Sequence, residues 1–355
     1  MGKIYFTVGP TELYPEVKEY LSEGIKNKIF SVPHRSEKFC NIIKETNSQI
    51  KKLLYIPNDF YIFYLSSATE CMERIILNTV EKNSFHLING YFAQRFYDIA
   101  LMLKKKPEYF KAEFGKSFDF EKIKIPEKSE IICFVHNETS TGFTLDLNEI
   151  YTIKKNNKEK LIVVDFVTSV PYVKIDFKYI DIAFFSVQKG FGMPAGLGVL
   201  IVRKSCISKA KELTGKKISI GGFNNFIKLA ENAEKNQTAF TPNMPGIYLL
   251  GKISEQLNKY GIEKLRKETD EKAKLIYDYF DTHREIFPFV MNKKNRSTTT
   301  IVLESDNAEK YYKKLFKNGF VVSKGYRDFK DRHLRIGNFP MHKIKDVKRM
   351  ISSLS

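Results

Sequence analysis

The 355-residue chain contains no tryptophan and only four cysteines. The cysteines show neither CxxC spacing nor a pairing rhythm, which favours reduced thiols over a disulfide framework or a zinc site. No apolar run approaches the length that spans a bilayer, and the first residues lack the apolar region of a signal peptide. We therefore expect a cytoplasmic protein that has no metal site and no membrane partner.

The chain also lacks a concentrated block of basic residues, although its formal net charge is +18. Lysines and arginines are spread along the whole length, and no zinc finger or RNP-like aromatic motif accompanies them. The charge therefore indicates a solvated basic surface that attracts anionic substrates, and we expect no nucleic-acid partner. A non-catalytic, basic nucleic-acid-binding protein is the alternative from a different class of function.

The apolar pattern predicts alternating strands and helices along the first half of the chain. Turn-rich residues 6–11 predict an N-terminal arm rather than a core strand, and residues 119–124 and 206–235 are interpreted as helical. Alternating βα units imply a mostly parallel sheet with helices on both faces, where ligands bind beyond the carboxyl ends of the strands. Later helices and strands indicate a smaller α+β lobe. The predicted strands of the first half cover residues 60–65, 85–88, 108–112, 130–136, 161–167, 182–187 and 198–202.

Residues 181–204 carry the most informative pattern. An apolar strand over residues 182–187 is followed by Lys189, by a loop rich in glycine, and by a second strand. Burial lowers the pKa of an amine and makes it a nucleophile for carbonyl carbons, which is the usual route to a Schiff base. A solvated lysine at a strand end is the alternative.

Four other motifs lie at or near the ends of predicted strands. Residues 65–70 place hydroxyl side chains at the start of a helix, as either an anion site or a plain helix cap. Residues 135–142 put several hydrogen-bonding side chains at one strand exit, in either a site or an ordinary turn. Asp165 lies in an apolar strand and needs a cationic or N–H partner, in a site or in a structural salt bridge. Tyr91 and Phe92 begin a helix and suit core packing as well as a site.

These motifs together resemble a known family. The order and spacing of residues 137–139 (Asn-Glu-Thr), Asp165 and residues 186–198 are similar to the class-V, fold-type I pyridoxal-phosphate aminotransferases. Within that family the likeness is greatest to the phosphoserine aminotransferases. It runs from residues 8–11 to residues 335–340, which is nearly the whole chain.

The resemblance implies a two-domain α/β fold. The large domain would hold a mostly parallel seven-stranded sheet sandwiched by helices, and the smaller C-terminal domain would be α+β. We place the large cofactor-binding domain at residues 15–245. The small domain then covers residues 246–355, together with the N-terminal arm 1–14.

The resemblance also implies a set of cofactor ligands. Lys189 would form the Schiff base with the aldehyde of pyridoxal 5'-phosphate, Asp165 would pair with the pyridine nitrogen, and Thr139 would hydrogen-bond the phenolic oxygen. Phe92 would stack on the ring, where phosphoserine aminotransferases commonly have the tryptophan that this chain lacks. The implied ligands of the cofactor phosphate are Ala68, Thr69 and Gln188, with Thr241 supplied by the neighbouring subunit. A homodimer with shared active sites is therefore implied.

Substrate recognition follows from the same resemblance. Arg335 matches the family arginine that binds the substrate α-carboxylate. His34 and Arg35 resemble a pair that reaches from one subunit toward the substrate phosphate in the other, and Arg327 resembles a further phosphate ligand. The departures from the family pattern are Tyr326 in place of histidine, Thr69 in place of an arginine found in some members, and Phe240 in place of asparagine. They leave the phosphorylated substrate open without affecting the aminotransferase assignment.

The resemblance favours phosphoserine:2-oxoglutarate aminotransferase activity in serine biosynthesis. The reaction would be ping-pong, through the Lys189 aldimine and pyridoxamine phosphate. The alternative within the family is an aminotransferase of the alanine–glyoxylate or serine–pyruvate type. Cysteine desulfurase, on the same fold, needs a mobile nucleophilic cysteine, and none of the four cysteines lies in a loop of the predicted small lobe.

Overall fold

The alternating strands and helices of the first half fold into one seven-stranded sheet, and a five-stranded sheet stands beside it. The computed structural model describes residues 2–354 of the chain. In chain order the strands are β1 (Ile4–Phe6), β2 (Phe60–Leu65), β3 (Ser84–Ile88), β4 (Glu108–Lys111), β5 (Ile131–Val135), β6 (Asn137–Glu138), β7 (Phe143–Thr144), β8 (Leu161–Asp165), β9 (Ile182–Ser186), β10 (Gly198–Arg203), β11 (Phe287–Pro288), β12 (Thr300–Glu304), β13 (Phe320–Lys324) and β14 (His333–Gly337). The α-helices are α1 (Val17–Lys26), α2 (Glu37–Leu54), α3 (Ala68–Thr79), α4 (Tyr91–Met102), α5 (Leu147–Asn156), α6 (Ile207–Gly215), α7 (Phe226–Ala233), α8 (Met244–Tyr260), α9 (Ile262–Phe280), α10 (Ala308–Lys317) and α11 (Ile344–Ser352).

The seven-stranded sheet has the order β2-β10-β9-β8-β5-β3-β4. Strand β10 runs antiparallel to both of its neighbours, and every other adjacent pair is parallel. Strand β10 follows β9 through a loop without a crossover helix, and such a connection joins antiparallel strands. The prediction of a mostly parallel α/β sheet is therefore confirmed.

Helices cover both faces of this sheet, which explains why strands such as β2, β5 and β9 are almost entirely apolar. In β2, Ile62 and Tyr64 pack into a core that includes residues of α2 and α8. Phe63 and Leu65 point the other way, into a core built with α3, α6 and α7. The alternation follows the two-residue period of a strand, so one apolar run serves both layers.

The second sheet has the order β1-β13-β14-β12-β11 and takes its first strand from the start of the chain. Strand β1 pairs in parallel with β13, and Phe6 is fully buried in the core of this lobe. The prediction of an arm that contributes no core strand was therefore wrong at Phe6. A three-residue edge strand is too short to show a two-residue alternation, so the sequence carries no periodic signal for it.

One helix prediction was wrong, and another was right only in part. Residues 119–124 form only the 3₁₀ turn Phe120–Lys122. Ile125 precedes Pro126, and a residue before proline is disfavoured in the helical region. Residues 206–235 form two helices, α6 and α7, separated by a segment in which Gly221 has a φ of +89°.

Three further observations concern residues 2–354. No helix among them is long and apolar enough to cross a membrane. No group of three or more His, Cys, Asp or Glu side chains among them could hold a metal ion. All four cysteines are free thiols, and three of them are buried.

Candidate active site

One cavity lies beyond the carboxyl ends of β2, β5, β8 and β9. Parallel strands bring their carboxyl ends to the same edge of the sheet, so side chains distant in sequence meet there. Four of the predicted site residues, Lys189, Asp165, Thr139 and Phe92, line this cavity. The three predicted phosphate ligands of the same subunit, Ala68, Thr69 and Gln188, line it as well.

Lys189 follows β9 and is buried, with 8% of its surface exposed. Its Nζ donates a hydrogen bond of 2.7 Å to the carbonyl oxygen of Val8. Burial lowers the pKa of Lys189 to about 8, and the charge of Arg335 acts in the same direction. Gly9 has a φ of +130°, and a side chain there would overlap the Lys189 side chain. The alternative of a solvated lysine at a strand end is therefore wrong.

Asp165 is the last residue of β8, and its carboxylate is buried in the cavity wall. One carboxylate oxygen accepts a hydrogen bond of 2.7 Å from the N–H of Val167. Within residues 2–354, no side-chain nitrogen of lysine, arginine or histidine lies within 4.0 Å of it. Burial therefore raises the pKa of Asp165 to about 7, and the charge of Lys189 only partly opposes the shift. The structural salt bridge considered as the alternative does not form.

The N-terminus of α3 lies at the cavity, and it is capped. The hydroxyl oxygen of Ser67 accepts a hydrogen bond of 3.1 Å from the N–H of Glu70, whose carboxylate accepts one of 2.8 Å from the N–H of Ser66. The N–H of Ala68 donates to the hydroxyl oxygen of Ser186 at 3.0 Å. The helix cap considered from the sequence is thus present. The positive end of the helix dipole still faces the cavity through Ala68 and Thr69, an arrangement that favours an anion.

Glu138 fixes the start of α4, a role that the sequence did not indicate. Its carboxylate is fully buried and accepts hydrogen bonds from the N–H groups of Phe92 (3.1 Å), Ala93 (3.0 Å) and Ser140 (3.1 Å). Burial raises the pKa of Glu138, and these hydrogen bonds oppose the shift. A carboxylate at a helix N-terminus is stabilised by the helix dipole. The contact therefore holds Phe92 in the cavity wall.

Arg335 reaches the site from β14 of the second sheet. Its Nε donates to the carbonyl oxygen of Lys324 at 2.9 Å, and its Nη1 donates to that of Thr139 at 3.4 Å. Burial lowers the pKa of Arg335 to about 10. The Thr139 hydroxyl lies 3.1 Å from the hydroxyl of Thr168. The two lobes therefore meet at Thr139, which lines the cavity.

Three arginines surround Tyr326 of the second lobe. The guanidinium carbon of Arg327 lies 5.7 Å from the Tyr326 ring centroid, and that of Arg335 lies 5.5 Å from it. Arg95, which sequence reasoning missed, lines the cavity and donates from Nη2 to the Tyr326 hydroxyl at 2.8 Å. A weak signal was available, because Arg95 lies three residues after Phe92 and so shares its helix face.

The remaining predicted residues lie elsewhere in this subunit. His34, Arg35 and Thr241 are not among the residues that line the cavity. His34 and Thr241 contact each other, with Nδ1 and Oγ1 3.5 Å apart. The structure therefore brings two of these three residues together, away from Lys189.

Comparison with known proteins agrees with this geometry. The sequence matches the family model described as aminotransferase class-V over residues 7–335. The phosphoserine aminotransferase of Corynebacterium glutamicum is 24% identical over 356 residues, which cover 98% of this chain and 93% of that protein. The phosphoserine aminotransferase of Lactococcus lactis is 24% identical over 368 residues, which cover 97% of this chain and 95% of that protein.

Solved structures show the same fold. A phosphoserine aminotransferase from Cytophaga hutchinsonii superposes with a TM-score of 0.97 at 42% identity, covering 99% of this chain and 98% of that one. The alanine–glyoxylate aminotransferase of Nostoc superposes with a TM-score of 0.83 at 18% identity, covering 100% of this chain and 94% of that one. The second likeness is one of fold alone. Together they confirm the predicted fold-type I architecture.

Proposed function

This chain belongs to the class-V aminotransferases, and we propose that it transfers an amino group between 3-phosphoserine and 2-oxoglutarate. The observation that carries the proposal is the 42% identity to a phosphoserine aminotransferase over 99% of this chain. The site adds independent support. Arg327 and Arg335 form no ion pair within 4.0 Å among residues 2–354, and unpaired guanidinium groups suit an acidic substrate.

The cofactor is pyridoxal 5'-phosphate, and the residues of the cavity fit it. The buried Asp165 carboxylate has no cationic partner within residues 2–354, as a ligand with a protonated ring nitrogen requires. Phe92 supplies an aromatic face, and the N-terminus of α3 supplies an anion site. When bound, the cofactor supplies an aldehyde for the amine and a ring that withdraws electrons from the substrate Cα.

Lys189 is suited to move a proton at the substrate Cα. Its pKa of about 8 lies near neutral pH, so the amine is available both as a base and, once protonated, as an acid. The carbonyl oxygen of Val8 orients Nζ within the cavity. In the proposed arrangement Asp165 holds the proton on the ring nitrogen. Lys189 and Asp165 are therefore the proposed catalytic residues.

The other proposed contacts fix the cofactor and the substrate. Thr139 would bind the phenolic oxygen, and Phe92 would supply an aromatic face for the ring. Arg335 would bind the α-carboxylate, and Arg327 would assist with the second acidic group. The proposed phosphate contacts of the cofactor within one subunit are Ala68, Thr69 and Gln188.

We also propose a homodimer in which His34, Arg35 and Thr241 complete the partner's site. His34 and Thr241 contact each other outside the cavity of their own subunit. The Nε2 atom of His34 is buried and finds no hydrogen-bond partner among residues 2–354. Cytoplasmic location is a further proposal, supported by the four free cysteines.

The test of the proposed function is a comparison of amino acceptors. The cofactor-loaded protein is assayed with 3-phosphohydroxypyruvate and glutamate, and in parallel with glyoxylate and alanine. We expect turnover of the first pair with a kcat/KM far above that of the second. Turnover of glyoxylate and alanine without turnover of the phosphorylated acid would instead assign the protein to the alanine–glyoxylate type.

A further inference from the structure

Arg95 is the one arginine that lines the same cavity as Lys189 and Asp165 within the described residues. It lies one helical turn after Phe92 on α4, and its guanidinium carbon stands 5.0 Å from the centroid of the Phe92 ring. Its charge lowers the pKa of both Lys189 and Asp165, as a secondary cause in each. The side chain is therefore directed at the reacting centre.

This guanidinium is unpaired. Other arginines of the chain contact carboxylates, as Arg203 does with Asp59 at 2.7 Å and Arg296 does with Asp281 at 2.8 Å. Among residues 2–354 no carboxylate oxygen lies within 4.0 Å of Arg95. Its one hydrogen bond within that range is the donation from Nη2 to the Tyr326 hydroxyl. The remaining N–H groups of the fork are available to an anion, which guanidinium binds through two parallel hydrogen bonds.

Tyr326 links Arg95 to Arg335. The Tyr326 hydroxyl accepts from Arg95, and its ring stands 5.5 Å from the guanidinium carbon of Arg335. The same ring packs against Phe92, with the two centroids 5.5 Å apart. Two cationic groups from different lobes thus contact one tyrosine side chain. Two cationic groups beside one side chain suit an acid that carries an anionic group at each end.

We propose that Arg95, positioned by the Tyr326 hydroxyl, binds the anionic group at the end of the substrate opposite the α-carboxylate. The proposal rests on the proposed function, in which that group is the phosphate of 3-phosphoserine. Arg95 then determines specificity for acids with a distal anion. Tyr326 acts through Arg95 and is a positioning residue.

The test uses two unreactive probes and the cofactor-loaded protein. 3-Phosphoglycerate has the distal phosphate, glycerate lacks it, and neither has an amino or keto group to transfer. Calorimetry gives the affinity of each. We expect the wild-type protein to bind 3-phosphoglycerate more tightly, and Arg95→Gln to weaken that binding about 10–100-fold because a hydrogen-bonded charge pair is lost. Binding of glycerate should change little.

Three further variants separate charge, position and fold. Arg95→Lys retains the charge and should restore part of the affinity for 3-phosphoglycerate. Tyr326→Phe retains the ring and should weaken the same probe by a smaller factor. Lys82→Gln is the matched control, because it removes one exposed positive charge near the amino end of β3, at the opposite edge of the sheet. It should leave both affinities unchanged.

Several outcomes would overturn the inference. Equal binding of the two probes by the wild-type protein would do so, as would an equal loss for both in Arg95→Gln. A loss of pyridoxal-phosphate affinity in Arg95→Gln, measured by absorbance titration, with the preference for 3-phosphoglycerate intact, would assign Arg95 to the cofactor instead. The proposed function fails separately, if the wild-type protein does not turn over 3-phosphohydroxypyruvate. If Arg95→Gln does not fold, the affinities of Arg95→Lys and Tyr326→Phe for 3-phosphoglycerate and glycerate provide the same test.

Discussion

Two buried lysines of this chain, Lys189 and Lys272, both have a lowered pKa but lie in different surroundings. Lys189 is 8% exposed and Lys272 is 2% exposed. Burial lowers the pKa of each to about 8. The Nζ of Lys272 donates to the carbonyl oxygens of Phe339 and His342, both at 2.8 Å, whereas the Nζ of Lys189 donates to one carbonyl and stands in a cavity with Asp165.

The surrounding cavities strengthen the comparison. Lys272 borders a cavity of about 500 Å³, which is larger than the one at Lys189 and is also lined by Tyr14 and Glu268. The ammonium group of Lys272 is nevertheless engaged by two backbone acceptors that join α9 to the segment before α11. A lowered pKa and a large cavity therefore do not identify the reactive lysine. The reactive lysine is identified instead by a buried carboxylate without a cationic partner, Asp165, and by an unpaired arginine, Arg95, in the same cavity.

The largest expected effect separates the two lysines by activity. Lys189→Ala should lower kcat by at least about 10³-fold, because it removes both the nucleophile and the proton-transfer group. Steady-state rates with 3-phosphohydroxypyruvate and glutamate measure the loss. Retention of more than a tenth of the wild-type rate would contradict the assignment of Lys189 as the reactive lysine.

The second expected effect is a loss of stability at Lys272, which distinguishes it from Lys189. Lys272→Met keeps the unbranched shape of the side chain, removes its terminal amine and leaves two buried carbonyl oxygens without their donor, which should lower the unfolding free energy by about 1–3 kcal/mol. The Tm of the variant should fall, while the activity of the folded protein should change little. A variant with an unchanged Tm and no activity would place Lys272 in the reaction instead.

The smallest effect is a pH dependence. The folded pKa of Lys272, about 8, lies below the unfolded value of 10.5, so between these values the unfolded chain binds more protons. The stability that Lys272 contributes is therefore present above pH 10.5 and is lost as the pH falls through 8. The free energy of unfolding of Lys272→Met should therefore fall further below that of the wild-type protein between pH 8 and pH 10. The difference should grow by at most about 1.4 kcal/mol per pH unit. Urea unfolding of the cofactor-free proteins measures this, and a constant deficit would show that Lys272 does not titrate in this range.

Lys189 and Asp165 could be predicted together from the sequence because each lies at the end of an apolar strand. Parallel strands converge at one edge, so order along the chain implies proximity in space. The buried strands could also be predicted from the sequence, because both faces of the sheet are covered and strands such as β2, β5 and β9 are almost continuous apolar runs.

Glu138 and Tyr326 show what could not be predicted from local pattern. Glu138 binds the start of α4 more than forty residues earlier in the chain, and Tyr326 contacts Arg95 across 231 positions. Neither contact has a local period or spacing. The edge strand β1 was not predicted for a related reason, because its pairing with β13 depends on residues near the other end of the chain.

The most direct test of the account is to locate the lysine that carries the cofactor. The protein loaded with pyridoxal phosphate is reduced with borohydride and digested, and the modified peptide is identified by mass spectrometry. The phosphopyridoxyl group should be found on Lys189. Its presence on Lys272, or on any lysine outside the cavity that Asp165 lines, would contradict the account.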